Sequence, residues 1–183
     1  MVYFTSDLHY GDHRPHTQLR RSKTLSIPDD QIDNLIIDNW NKKVTNYDTV
    51  FVLGDITFKG LGFLKLLKGR KILIRGNHDT SYTDDELLEY FDGVYDTLIL
   101  KDMFSEPVFL CHKPEDARDD MITLNGHVHD VWKYYDNKIN VGLECWGMAP
   151  VSKDVLEEAI DTLKYLDVTN YKIMDDYGVI IVI

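Results

Sequence analysis

The chain has 183 residues, 44% of them hydrophobic, which suits one domain with a substantial core. Its formal net charge of −11 argues against a general binder of extended DNA or RNA, because polyanion binding normally needs a basic stripe. No apolar run approaches the ~20 residues that span a bilayer, the opening Met1-Val2-Tyr3-Phe4-Thr5-Ser6 lacks the basic and apolar regions of a signal peptide, and two cysteines make no disulfide framework. A cytoplasmic protein without a membrane partner is therefore expected.

In chain order, residues 2–6 read as a short buried strand. The stretch 10–28 then holds Arg14, Arg20, Arg21 and Lys23 against a single carboxylate, Asp12. Either it offers cations to a substrate phosphate or it is a solvated loop or short helix face. A helix is predicted over 29–43, with Ile32, Leu35, Ile36 and Trp40 at helical spacing and Asp29 or Asp30 as its cap. A buried strand at 48–53, a glycine-preceded helix at 60–68 and a strand at 71–75 follow. Residues 84–91 read as a short helix whose Asp84, Asp85 and Glu86 favour its N-terminus. Strands are expected at about 94–100, 107–111, 121–125 and 138–143. A last helix over 152–166 is capped by Ser152 and carries an apolar stripe of Val155, Leu156, Ile160 and Leu163. The tail 171–183 reads as a terminal hairpin around Asp175-Asp176-Tyr177-Gly178. The first half alternates strand and helix and favours parallel pairing; the second is strand-rich. With no repeat and no linker, 1–183 reads as a single domain.

Five short motifs each follow a strand-like run: Asp7-Leu8-His9, Gly54-Asp55, Gly76-Asn77-His78-Asp79, Cys111-His112 and Gly126-His127-Val128-His129. They contain five of the seven histidines. In an extended segment residues i and i+2 share a side, so Asp7 with His9, and His127 with His129, can each aim two ligands at one cavity. Singly the motifs are ordinary: Asp55 could be a turn or cap residue, and the Gly-containing pairs could be turns. Together they bring seven ligand-type residues to the ends of five strands. Mixed carboxylate and imidazole donors suit Mn, Fe, Ni, Co or Zn rather than Ca or Mg. Asp55, alone after a strand and a glycine, is the best placed to bridge two ions. Cys111 adjoins a proposed ligand, but reads as a small core residue.

The order Asp-x-His, Gly-Asp, Gly-Asn-His-Asp, a lone His after a strand, then Gly-His-x-His resembles the calcineurin-like metallophosphoesterase superfamily. Further matches to its small single-domain bacterial and phage members are Tyr3-Phe4-Thr5-Ser6, Asn39-Trp40-Asn41, Lys71-Ile72-Leu73-Ile74-Arg75 and Ile139-Asn140-Val141-Gly142, so the resemblance covers roughly residues 1–166. It implies an α/β fold: a four-layer αββα sandwich of two facing mixed β-sheets flanked by helices. It implies two divalent transition-metal ions, manganese foremost, one on Asp7, His9 and His129, the other on Asn77, His112 and His127, with Asp55 shared. It implies that His78 faces the scissile phosphate and that Asp79 orients the His78 ring. The expected activity is hydrolysis of a small phosphodiester or phosphomonoester, the diester ahead, by an activated water. The alternatives are a nuclease and a non-catalytic interaction module. Such modules tend to lose ligands or the histidine after Asn, and here the set is whole. Relatives often carry His-Phe-Gly-His after the first motif, whereas Asp12 intervenes here before His13. His13, Arg14, Arg20 and Arg21 are the expected substrate contacts.

Overall fold

The computed structural model describes residues 1–165, 172–174 and 180–182. Two five-stranded mixed sheets dominate it. In the first, β1 (Val2–Thr5), β2 (Thr49–Val52), β3 (Arg70–Ile74) and β4 (Gly93–Tyr95) run parallel in that order, and β10 (Val151–Ser152) adds antiparallel to β1. The second has the order β5 (Leu98–Leu100), β6 (Val108–Leu110), β7 (Ile122–Asn125), β9 (Lys138–Asn140), β8 (Tyr134–Tyr135). Its central strands β6, β7 and β9 are parallel, with antiparallel strands at both edges.

Strand periodicity explains the layers. Successive side chains of β1 and β2 point to opposite faces. Tyr3, Val50, Val52 and Leu73 join one core with Ile32, Ile36 and Trp40 of α2 (Ile32–Lys43) and Leu87 of α3 (Asp84–Leu88). Their neighbours Phe4, Phe51, Leu53 and Ile74 join a second core with Val108, Leu110, Leu124 and Ile139 of the other sheet. Leu156, Ala159 and Ile160 of α4 (Lys153–Tyr165) pack into that inter-sheet core. The first sheet is thus covered on both faces, which is why its strands read as continuous apolar runs rather than alternating ones. Two facing mixed sheets with flanking helices are the sandwich that the motif order implied. Among the described residues no helix is long and apolar enough to cross a membrane.

Several expected elements are corrected. The single strand at 94–100 is two, β4 and β5, and they belong to different sheets; the chain crosses from one sheet to the other at Asp96 and Thr97. The helix at 60–68 is a 3-10 turn over Leu61–Leu66. The helix from 29 begins with a 3-10 turn, Asp29–Gln31, and neither aspartate makes a side-chain cap. A true capping box, Thr83 with Glu86, starts α3, which ends earlier than expected at Leu88. The basic stretch after the first motif contains a helix, α1 (Gln18–Leu25). Strands β8 and β10 are too short to have a sequence signature. Part of the expected C-terminal hairpin lies outside the described residues; within them, β11 (Lys172–Met174) and β12 (Ile180–Val182) pair antiparallel.

Candidate metal centre

All five motifs leave the carboxyl ends of parallel strands: β1, β2 and β3 in one sheet, β6 and β7 in the other. Open parallel sheets gather their sites there. The backbone at these exits is not extended. Asp7, His9, Asp55, His127 and His129 all have left-handed φ, between 45° and 72°. Asp and His tolerate that region better than most residues, but each such conformation still costs of order 1 kcal/mol and is held by its surroundings. Here the hold is visible. The N–H groups of Asp7, His9 and Tyr10 donate to the carbonyls of Gly54, Asp55 and Ile56, so the first two loops continue as a ladder. The N–H of His127 donates to the Asp7 carboxylate, at 2.9 Å to Oδ2. The motif glycines permit this crowding: a Cβ at Gly126 would sit 1.8 Å from Ser6 Oγ, and one at Gly76 would sit 2.4 Å from Asp55 N.

The side chains converge in two groups. Ligand atoms of Asp7, His9 and His129 lie within 4.8 Å of one another, and so do those of Asp55, His112 and His127. The groups touch through Asp55, whose Oδ2 is 3.4 Å from His9 Nε2 and 3.4 Å from His112 Nε2. Asn77 Oδ1 lies 3.1 Å from His112 Nε2, beside the second group. His127 and His129 therefore fall in different groups, although both line one cleft of about 350 Å³ with His9, Asp55 and His78.

The electrostatics suit a cation. Burial pulls the His112 pKa down, but hydrogen bonding to Asp55 and the charges of Asp7 and Asp55 carry it up to about 9. Burial would raise the Asp55 and Asp7 carboxyls, yet His112 and His9 hold them below the usual range. His9 is only 2% exposed and neither ring nitrogen has a hydrogen-bond partner. A buried polar group left that way is expensive unless an ion takes the lone pair. Two other imidazoles are oriented from behind. His112 Nδ1 faces the Leu53 carbonyl at 2.7 Å, and His129 Nδ1 faces Glu144 Oε1 at 3.0 Å. Each arrangement makes Nε2 the ring atom that could offer its lone pair to an ion.

The model of the calcineurin-like phosphoesterase family, Metallophos, matches residues 1–179. The chain belongs to the calcineurin-like phosphoesterase family. It is 28% identical to the Gene 66 protein of Mycobacterium phage L5, over 87% of this chain and 94% of the phage protein. It is 27% identical to the uncharacterised protein MJ1445 of Methanocaldococcus jannaschii, over 92% and 96% of the two chains. Among solved structures it is similar to AQ665 of Aquifex aeolicus, a protein of unknown function. The TM-score is 0.65 at 26% identity, over 87% of this chain and 99% of that one. Calcineurin-like phosphoesterases generally hydrolyse phosphoesters and typically bind two divalent metals, and this chain presents ligand groups for such ions.

The structure places the remaining expected site residues less uniformly. His78 stands at the cleft, 37% exposed at its side chain, with Nε2 4.0 Å from Asp55 Oδ2. The exposed Phe58 ring lies 5.0 Å from the His78 ring, and the Arg14 guanidinium sits 4.2 Å over that Phe58 ring. Asp79 does not orient His78. Its buried carboxylate accepts from the backbone N–H groups of Asp55, Ile56 and Gly76, at 2.9, 2.9 and 2.8 Å, and so fastens the second motif to the third. His13 turns away to Asp29 and lines no part of the cleft. Arg14 and Arg20 do line it, each paired with a carboxylate: Arg14 with Asp12, Arg20 with Asp130 at 2.5 Å.

Arg21 is the clearest correction. It is buried, not at the rim, and reaches the Leu8 carbonyl, the Asp7 carbonyl and Glu144. Two important residues were not predicted. Asp12, held to a pKa of about 2 against its burial by Arg14 and Thr17, places Oδ2 3.6 Å from His9 Nδ1. Glu144 joins His129 to Arg21 from a 3-10 turn far along the chain. Nothing in the local sequence marks Glu144, because its partners come from other elements.

Proposed function

We propose that the protein is a metal-dependent hydrolase of a small phosphate ester, with a phosphodiester preferred to a monoester and two divalent transition-metal ions, manganese foremost, as cofactors. The observation that carries this reading is the place of Asp55, whose one oxygen stands 3.4 Å from an imidazole of each ligand group. That placement suits a shared carboxylate. In this reading Asp7, His9 and His129 would hold one ion, and Asn77, His112 and His127 the other. When bound, the ions supply charge stabilisation on the phosphate oxygens and lower the pKa of an adjacent water.

The chain's own groups do the rest. Glu144 and the Leu53 carbonyl accept from Nδ1–H of His129 and His112, the tautomer whose Nε2 lone pair could bind an ion. As the bond from phosphorus to the leaving oxygen breaks, His78 delivers a proton to that oxygen from the cleft side. Phe58 walls His78 on its open flank. The diester preference is supported by charge. The arginines lining the cleft, Arg14 and Arg20, are both already paired with carboxylates, so beyond the ions neither arginine is free to meet the second negative charge of a monoester. Hydrolysis of bis-p-nitrophenyl phosphate faster than p-nitrophenyl phosphate by manganese-loaded protein is the expected result. Turnover of neither would reject the reading, and a monoester preference would reject its finer part.

Elemental analysis should find two ions per chain. Asp55→Asn keeps a residue that tolerates left-handed backbone but weakens a donor common to both groups, so it should lower the content below one. A variant that keeps one ion fully bound would show that Asp55 serves a single group. Arg20→Ala should have a smaller effect. Because Arg20 is half exposed and paired, KM for the diester should rise about two- to fivefold, the span of a surface ion pair. That rise should shrink at high salt. A change confined to kcat would remove Arg20 from substrate binding.

A further inference from the structure

The metal cleft of about 350 Å³ adjoins a larger groove of about 560 Å³. The two share one wall, made by His16, Thr17, Arg20 and His129. Beyond that wall the groove lies along α1 and α2 as far as Gly147 and Met148. Leu25, Ile27, Leu35 and Met148 give it apolar surface, and Thr17, Thr24 and Asn39 add uncharged polar groups. Asn39 of α2 stands among them, and among the described residues its side-chain amide makes no hydrogen bond. Among the described residues the two arginines of the groove are already matched, Arg20 with Asp130 and Arg21 with Glu144, so neither is free for a second phosphate.

We infer that this groove receives the organic arm of the phosphate ester: an uncharged, flat, largely apolar group with a hydrogen-bonding edge, of nucleoside size and chemistry. Apolar surface with a few placed polar groups is how a pocket holds and orients such a body, and the volume is in the ~300–1,000 Å³ range of small-ligand sites. The Asn39 amide, which can donate and accept, would read the edge. The inference rests on the phosphoesterase reading for the position of the phosphate, since the shared wall includes His129.

Calorimetric titration of the metal-loaded protein tests it with two probes that resist ester hydrolysis. These are methylphosphonate and the 5′-deoxy-5′-methylene phosphonate of adenosine. The nucleoside probe should bind at least about tenfold more tightly, as burial of one ring face suggests after ordering costs. Leu25, which is 38% exposed, can be enlarged without touching the core. Leu25→Trp should fill the groove and reduce the preference to about threefold or less, and Asn39→Ala should give an intermediate value. Equal binding of the two probes by the unsubstituted protein, or a preference that survives Leu25→Trp, overturns the inference. Hydrolysis of bis-p-nitrophenyl phosphate or p-nitrophenyl phosphate by the same sample separates the two ideas. Hydrolysis without a nucleoside preference removes the groove alone; preference without hydrolysis keeps the groove and removes the phosphoesterase reading.

Discussion

His78→Ala is expected to lower kcat by roughly 10²–10⁴-fold, the range for a positioned acid–base group, while metal content stays at its original level. The geometry separates these two effects. The His78 ring lies outside both three-residue ligand groups, and its Nε2 is 4.0 Å from the nearest oxygen of Asp55. What His78 gives to the metal region is its backbone N–H, which donates to Asp55 Oδ1 at 3.0 Å, and alanine keeps that group. The chemistry adds a sharper readout. A proton delivered to the leaving oxygen matters most when the leaving alcohol is a poor one, so the variant should lose more activity on an alkyl diester than on a p-nitrophenyl diester. Metal analysis and kinetics on the two esters check this together. Loss of an ion, or equal losses on both esters, would contradict the acid role.

The site was legible where the chemistry demands particular residue types at strand ends. Asp7, His9, Asp55, Asn77, His112, His127 and His129 could be picked out because few other roles want so many donors after so many strands. The local geometry was not legible. The i and i+2 argument assumes extended backbone, whereas five of these residues are left-handed, with φ of 45–72°. They converge because inter-loop hydrogen bonds and glycine clearances fold the exits inward. Residues whose partners are backbone atoms or distant side chains were misread or missed. Asp79 looked like a partner for its neighbour His78 and instead takes three amides. Glu144 meets Arg21 across 123 positions. The fold followed the same division. Long apolar runs marked the central strands, because both faces of the first sheet are covered. The break between β4 and β5 was hidden, because an apolar run does not say where it leaves one sheet for the next.

Arg21 carries the largest expected effect on stability. Its side chain is 2% exposed and faces Glu144 at 2.7 Å, and Glu144 is itself 13% exposed. The guanidinium also donates to the Leu8 carbonyl at 2.9 Å and the Asp7 carbonyl at 2.5 Å. Those two carbonyls belong to the loop that must turn left-handed at Asp7 and His9, so one fork ties down the first motif. Arg21→Met keeps the apolar bulk but leaves the buried Glu144 carboxylate with His129 as its remaining partner and strands two carbonyl acceptors. Removing one member of a buried pair costs ~3–5 kcal/mol, so urea melts of the variant should show a loss of that size, or a Tm lower by about 10 °C. Arg21→Lys should lie between, since a single ammonium cannot serve three acceptors in the fork's geometry. The double variant Arg21→Met with Glu144→Gln is the informative control. With the charge of Glu144 removed it should recover part of the loss, and together with Glu144→Gln alone the cycle isolates the pair from the carbonyl contacts. It should not recover the metal site, because His129 would have an amide in place of the Glu144 carboxylate and the Asp7 loop would still lack its anchor. A stability loss under about 1 kcal/mol for Arg21→Met would match a surface pair instead, and would mean that this arginine does not hold the loop.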